Sequence, residues 1–194
     1  MKGIPLLCLL LLGFTILLTG CADGFQTSGH ARQYEAEHQD VADKIRQGKA
    51  FAAALPKEYD LTASVTLSHG EDADRIVYEI FVRRPKVRME NLRMSFSLNP
   101  EMTSRLKTSD VFTSNALNGE PISYAPGSST NGISLDRGFV LDPSLIDRSM
   151  LSIFREMYVK ISYSSSDSQV TDYVRLNAEP SADLLTYLNS SPGE

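Results

Sequence analysis

Four short stretches carry side chains that could do chemistry. Ser104-Arg105-Leu106-Lys107 sets a hydroxyl and an amine one helical turn apart. At that spacing a lysine can help take a serine's proton and activate it as a nucleophile. His69-Gly70-Glu71-Asp72-Ala73-Asp74 gathers three carboxylates, the hard oxygen donors that calcium takes. Arg83-Arg84-Pro85-Lys86-Val87-Arg88, followed by Arg93, is the one basic concentration in the chain. Such a run could meet lipid headgroups or an anionic wall polymer. The fourth is a single atom, the thiol of Cys21, at the end of an apolar run from Ile4 to Leu18.

The first two weaken on inspection. Ser104-x-x-Lys107 resembles the nucleophile motif of the penicillin-interacting enzymes, which also need a Ser-Asp-Asn and a Lys-Thr-Gly element. This chain has Ser109-Asp110-Val111 and Lys107-Thr108-Ser109 instead, both altered and both crowded onto the first motif, in a chain too short for that fold. The acidic stretch lacks the EF-hand spacing and its distal glutamate, and reads as a solvated turn. The histidines, His30, His38 and His69, lie on polar segments with no pair at zinc-ligand spacing. The chain contains no P-loop, dinucleotide glycine fingerprint, HExxH or GxSxG. No catalytic residue, metal ligand or cofactor is therefore assigned.

The basic run has two readings. If extended, Arg84, Lys86 and Arg88 share one side, and with Arg83 and Arg93 they form a candidate contact for an anionic surface. The plainer reading starts from Pro85, which places the stretch at a sheet edge or in a linker. Charges beside a proline protect such an edge from stray pairing.

Cys21 is more informative. Lys2 is the only charge before Asp23, and the apolar run is shorter than the roughly 20 residues a membrane span needs. A positive start, a short apolar middle and a small-residue ending are signal-peptide anatomy. The ending, Leu18-Thr19-Gly20-Cys21, resembles the lipobox of bacterial prolipoproteins. The resemblance covers residues 1–21 only. It implies a diacylglycerol on the Cys21 thiol, cleavage between Gly20 and Cys21, and Cys21 as the first mature residue. Two or three acyl chains anchor a protein durably where one binds marginally. The expected address is the extracytoplasmic face of a bacterial cell membrane. The residue after the cysteine is Ala22, not Asp, so in a host with an outer membrane no clear inner-membrane retention signal is present.

Composition is consistent with this address. The chain has 194 residues and two cysteines. Cys8 leaves with the leader and Cys21 is taken by lipid, so the mature domain is expected to have no disulfide and no thiolate ligand. Its stability must come from an ordinary hydrophobic core. Formal charge is −5, and loss of Lys2 makes it −6. An acidic chain is a poor nucleic-acid binder, and no nucleic-acid partner is expected.

Residues 21–33, polar and glycine-containing, read as a lipidated cysteine on a flexible tether. Over 34–56, Tyr34, His38, Val41, Ile45, Ala52 and Leu55 fall near three-four spacing, which predicts an amphipathic helix, weakened at Gly48 and ended by Pro56. From residue 57 the period changes to two. Leu61, Ala63, Val65 and Leu67 form one apolar face, then Ile76, Tyr78, Ile80 and Val82 across the 69–74 turn. Leu92, Met94, Phe96 and Leu98 follow, with Arg93, Ser95 and Ser97 outward. Met157, Val159, Ile161 and Tyr163, then Val170, Val174 and Leu176, complete the clear strands. Short strands are also expected at Val111-Phe112 and Ile122–Tyr124, with turns at Asn118-Gly119 and Asn131-Gly132. Asp142-Pro143-Ser144 predicts a capped helix start running into LIDRSMLSIF. Residues 179–194 read as a short helix capped by Ser181, then a tail.

About seven short strands without strand-helix alternation predict a mainly β domain over 57–178. The expected fold is an antiparallel two-sheet sandwich of immunoglobulin-like type, preceded by a helix, with a small β-barrel as the alternative. The functional expectation is a non-catalytic binding or scaffolding module, anchored to the membrane by lipidated Cys21 and partnered by an envelope protein or polymer. The alternatives are a carrier of a small apolar or lipid ligand and, behind it, a hydrolase.

Overall fold

A computed structural model describes residues 22–48, 50–117, 121–166 and 168–190. The expected signal peptide, Gly20, Cys21, the expected Asn118-Gly119 turn and the last four residues lie outside them. The described chain is a sandwich of two four-stranded sheets. The strands are β1 (Asp60–Ser68), β2 (Arg75–Arg83), β3 (Glu90–Leu98), β4 (Thr113–Ser114), β5 (Ile133–Val140), β6 (Glu156–Ser165), β7 (Ser168–Asn177) and β8 (Glu179–Pro180). One sheet has the order β5-β2-β1-β8, the other β4-β3-β6-β7. All pairings are antiparallel except β1 with β8. The sheets do not close on each other, which removes the barrel alternative.

Alternation sets the core. Ile76, Tyr78, Ile80 and Val82 of β2 are fully buried while the residues between them are partly exposed. Leu61 and Val65 on β1, Met94 and Phe96 on β3, and Val159 and Ile161 on β6 fill the same cluster. The inward faces interdigitate as two apolar surfaces must when neither can face water. Tyr78 reaches through the layer to donate a 2.7 Å hydrogen bond to the Phe154 carbonyl. The acidic turn between β1 and β2 holds Gly70 so closely against Arg75 and the Ala73 carbonyl that a Cβ there would collide with both.

Helix α1 (Ala22–Gln47) differs from expectation at both ends. The 21–33 stretch, read as a tether, is helical from Ala22 onward. Once residues 30–45 are fixed against the sheet, extending the helix adds a hydrogen bond for each residue ordered, so polar sequence suffices. At the other end the 34–56 helix stops at Gln47, not at Pro56. Gly48 takes the left-handed conformation (φ 68°) and its N–H bonds back to the Ile45 carbonyl at 3.0 Å, a helix stop that favours glycine. Ala52 leaves the helix altogether and pairs beside Val174; Leu55 is 53% exposed.

The middle of the chain is also redrawn. The strand expected at Val111-Phe112 forms two residues later, at Thr113–Ser114, because that pair meets Phe96 and Ser95 of β3. Of 122–124, Tyr124 forms a single bridge with Met89, and the Ile122 carbonyl accepts from the Leu92 N–H at 2.9 Å. Asp142 caps as expected, accepting the Ser144 N–H at 3.1 Å, but it starts a 3-10 turn (Pro143–Leu145). The α-helical part, α2, is only Met150–Ile153, started by Asp147 accepting from the Met150 N–H. The C-terminal helix α3 (Ala182–Ser190) is capped by Ser181, whose Oγ accepts from the Leu184 N–H at 3.2 Å.

Replacing Tyr78 by Phe leaves the Phe154 carbonyl without its partner in the core and is expected to lower stability by about 1–2 kcal/mol. Urea denaturation should show a lower midpoint with an unchanged slope.

Candidate functional site

The expected outward residues of β3 and β6 do face away from the core, yet they are not solvated. Ser95, Ser97, Lys160 and Ser162 are all buried, because α1 lies across that face. An ionic cluster pins it there. Lys160, 9% exposed, sends its Nζ to Asp40 Oδ2 at 2.7 Å and to Glu37 Oε2 at 3.1 Å. Tyr173 OH donates to the same Asp40 oxygen at 2.6 Å. Ser95 Oγ donates to Glu37 Oε2 at 3.2 Å and lies 2.9 Å from Ser114 Oγ. Glu37 and Asp40, three apart on a helix, fall on one face, and β6 and β7 set Lys160 opposite Tyr173 in register.

Two further attachments flank this cluster. Upstream, the His38 ring stacks on Phe112 at 4.8 Å and Tyr34 meets the same ring edge-on at 5.2 Å. Tyr34 OH also donates to the Phe112 carbonyl at 3.2 Å. Downstream, Phe51 packs edge-on against Tyr158 and Tyr173 at 5.0 and 5.6 Å. Ala52 then exchanges two 2.9 Å main-chain hydrogen bonds with Tyr173 and Arg175 along the free edge of β7. The segment preceding β1 is thus a strap fastened at three places.

Electrostatics follows from the packing. Burial alone would push the Asp40 carboxyl up. The hydrogen bonds from Lys160 and Tyr173, with the charges of Lys160 and Lys44, outweigh it and hold Asp40 below the usual carboxylate range. Burial and the bond to Asp40 push the Tyr173 phenol well up. Burial, with Glu156 beside it, raises Tyr158 to about 12. The cluster serves attachment: Ser95 and Lys160 both lie under the helix, closed to a substrate.

The residues singled out in the sequence are scattered. Cys21 and Gly20 lie outside the described residues. Arg83 ends β2 with its guanidinium 4.3 Å from the Phe81 ring centre. Arg84, in a left-handed conformation (φ 46°), pairs with Asp60. Lys86 donates to the Lys57 carbonyl, and Arg88 pairs with Glu90 at 2.8 Å. Arg93 turns instead to α1, with Nη1 3.8 Å from Glu37 Oε1. Ser104 Oγ donates to the Glu101 carbonyl at 2.8 Å and Lys107 lies 3.9 Å from Asp142, so no hydrogen bond joins the two. In the acidic turn, His69 Nδ1 is 2.7 Å from Asp74 Oδ1, an interaction that lowers the Asp74 carboxyl. Among the described residues no group of three or more His, Cys, Asp or Glu could hold a metal ion.

Sequence reasoning missed Glu37, Asp40, Lys160 and Tyr173. Two signals were present: paired acids on the same face as Tyr34 and Val41, and a lysine set between Val159 and Ile161 in a strand.

The chain matches no known family model, and no curated protein is significantly similar to it.

Truncating Lys160 to Ala leaves Glu37 and Asp40 without their cation and is expected to cost about 3 kcal/mol. The double change Lys160→Met with Glu37→Gln should recover part of that loss in the same denaturation assay. Acid should act in the same direction. A carboxyl whose folded pKa lies below its unfolded one stabilises at pH above about 4, and that contribution is lost as pH falls through the folded value. Hydrogen exchange followed down to pH 3 should therefore show α1 amides losing protection before those of β2 and β6, and the order should vanish in Asp40→Asn.

Proposed function

We propose that this protein is a lipid-anchored lipoprotein of the bacterial envelope, acting as a non-catalytic binding or scaffolding module. The observation that carries the reading is the short apolar run after Lys2, closed by Leu18-Thr19-Gly20-Cys21. The mature chain starts at Cys21, held by its acyl chains on the extracytoplasmic face of the cell membrane, or in the outer membrane where the host has one. Helix α1 begins at the next residue and is strapped to the sandwich by Lys160, so the anchor is coupled directly to the folded domain. The partner is an envelope protein or polymer, and Arg83, Arg84, Lys86 and Arg88 are the side chains that would meet an anionic one.

The inward residues favour a packed module over a carrier. Leu61, Val65, Ile80, Phe96 and Ile161 are all buried in one cluster, which fills the space a lipid ligand would need.

The test is metabolic labelling of the full-length protein with a clickable fatty acid in a bacterial host, followed by fractionation. The expected result is labelled protein in the membrane fraction, with Cys21→Ser both unlabelled and uncleaved. Label retained by Cys21→Ser, or none in the parent, would overturn the reading. In-cell crosslinking of the anchored form then identifies the partner.

A further inference from the structure

A second polar feature lies beside the strap. At the start of β3 the pairing with β6 slips between Glu90 and Arg93, and Asn91 sits in the left-handed conformation (φ 53°). A bulge with a strained non-glycine residue re-aims side chains and clusters at binding sites. Here it borders a cavity of about 170 Å³ lined by His30 and Gln33 of α1, Asn91, Leu92 and Arg93 of β3, and Asn115. Asn115 is held by β3, accepting from the Met94 N–H and donating to the Leu92 carbonyl. The side chains of His30, Gln33, Asn91 and Arg93 make no hydrogen bond to any described residue. Arg93 is the telling member. Its side chain is only 28% exposed, yet its ion-pair partner among the described residues is Glu37 at 3.8 Å, outside hydrogen-bond range. Glu37 directs its other oxygen to Lys160 and Ser95.

We propose that this cavity binds a phosphate group. An arginine fork, an imidazole and two carboxamides offer more donors than the two oxygens of a carboxylate can accept, and a tetrahedral phosphate presents enough. The volume admits one small charged group and little else. Such a group could belong to a lipid headgroup or to a small soluble phosphate. His30 lies about 12 Å along α1 from Ala22, the first residue of the helix. On the anchoring proposed above, headgroup phosphates come within reach; the site itself does not depend on that anchoring.

The experiment uses the full-length, isotope-labelled protein in micelles of an uncharged maltoside detergent, titrated with inorganic phosphate at constant ionic strength. Saturable shifts of the 91–93 amides and the His30 ring are expected, with half-saturation around 1 mM. Arg93→Gln should weaken binding about tenfold, as loss of a charge-assisted pair does. Because Arg93 also neighbours Glu37, Gln33→Ala serves as a second variant, expected to weaken binding about threefold with the α1 amides unmoved. Adding phosphatidylglycerol to the micelles locates the source: competition with inorganic phosphate assigns the site to headgroups, and no competition assigns it to soluble phosphates. Shifts that fail to saturate, or that are the same in both variants, would overturn the proposal. The mass of the same sample reports acylation of Cys21 independently, so phosphate binding without acyl mass would count against the anchor alone.

Discussion

An ammonium group enclosed between two carboxylates holds this molecule's N-terminal segment in place. Lys160 sits on the outer face of a sheet, where a solvated lysine would be unremarkable in sequence and energetically idle. Covered by α1, it must be matched, and Glu37, Asp40 and the Tyr173 hydroxyl match it. Removing charges from water costs several kcal/mol per ion, regained only where geometry and added hydrogen bonds are good. The net gain is small beside that of burying apolar side chains, but the specificity is high. A polar helix with the fully buried Val41 as its main apolar contact could slide on a sheet of serines. One with a matched lysine has a single register.

The sandwich below needs no such device. Its two sheets share one apolar cluster, and the strand alternation that builds it is visible along the chain. This explains why the fold class was legible. In β1, β2, β3 and β6 the inward residues are those that period-two reading selects, because a strand with one buried face has little freedom in where its apolar residues go. The helical boundaries were less legible. Composition marks residues 22–33 as coil, and only contacts made by Tyr34, His38 and Val41 with distant segments make them worth ordering. Gly48 could be read as a weak point or a terminus, and the sheet edge that receives Phe51 and Ala52 decides between them.

The strap was hidden for a related reason. Polar residues alternating with apolar ones ordinarily mean water on one side. Ser95, Ser97, Lys160 and Ser162 obey the pattern and break the inference, since a second layer covers them. Nothing local distinguishes a serine facing solvent from one facing a polar helix. The matching partner lies 120 residues away along the chain for Lys160 and Asp40. The basic run between 83 and 93 looks like one patch in sequence. The fold gives each member its own neighbour, and Arg93 parts from the others to border a different cavity.

On the anchoring proposed above, the continuity of α1 changes what residues 22–33 can transmit. As coil, residues 22–33 would wander over about 20 Å; as helix they span about 18 Å. Reach is therefore almost the same, and the difference is in rotation. A coil lets the domain tumble and show any flank to the surface it is tied to. A helix pinned through Glu37 and Asp40 keeps one orientation to the sandwich. On the anchoring proposed above, the protein would then have a built-in polarity, with a proximal end and a distal end, and a torque applied to one would be felt at the other.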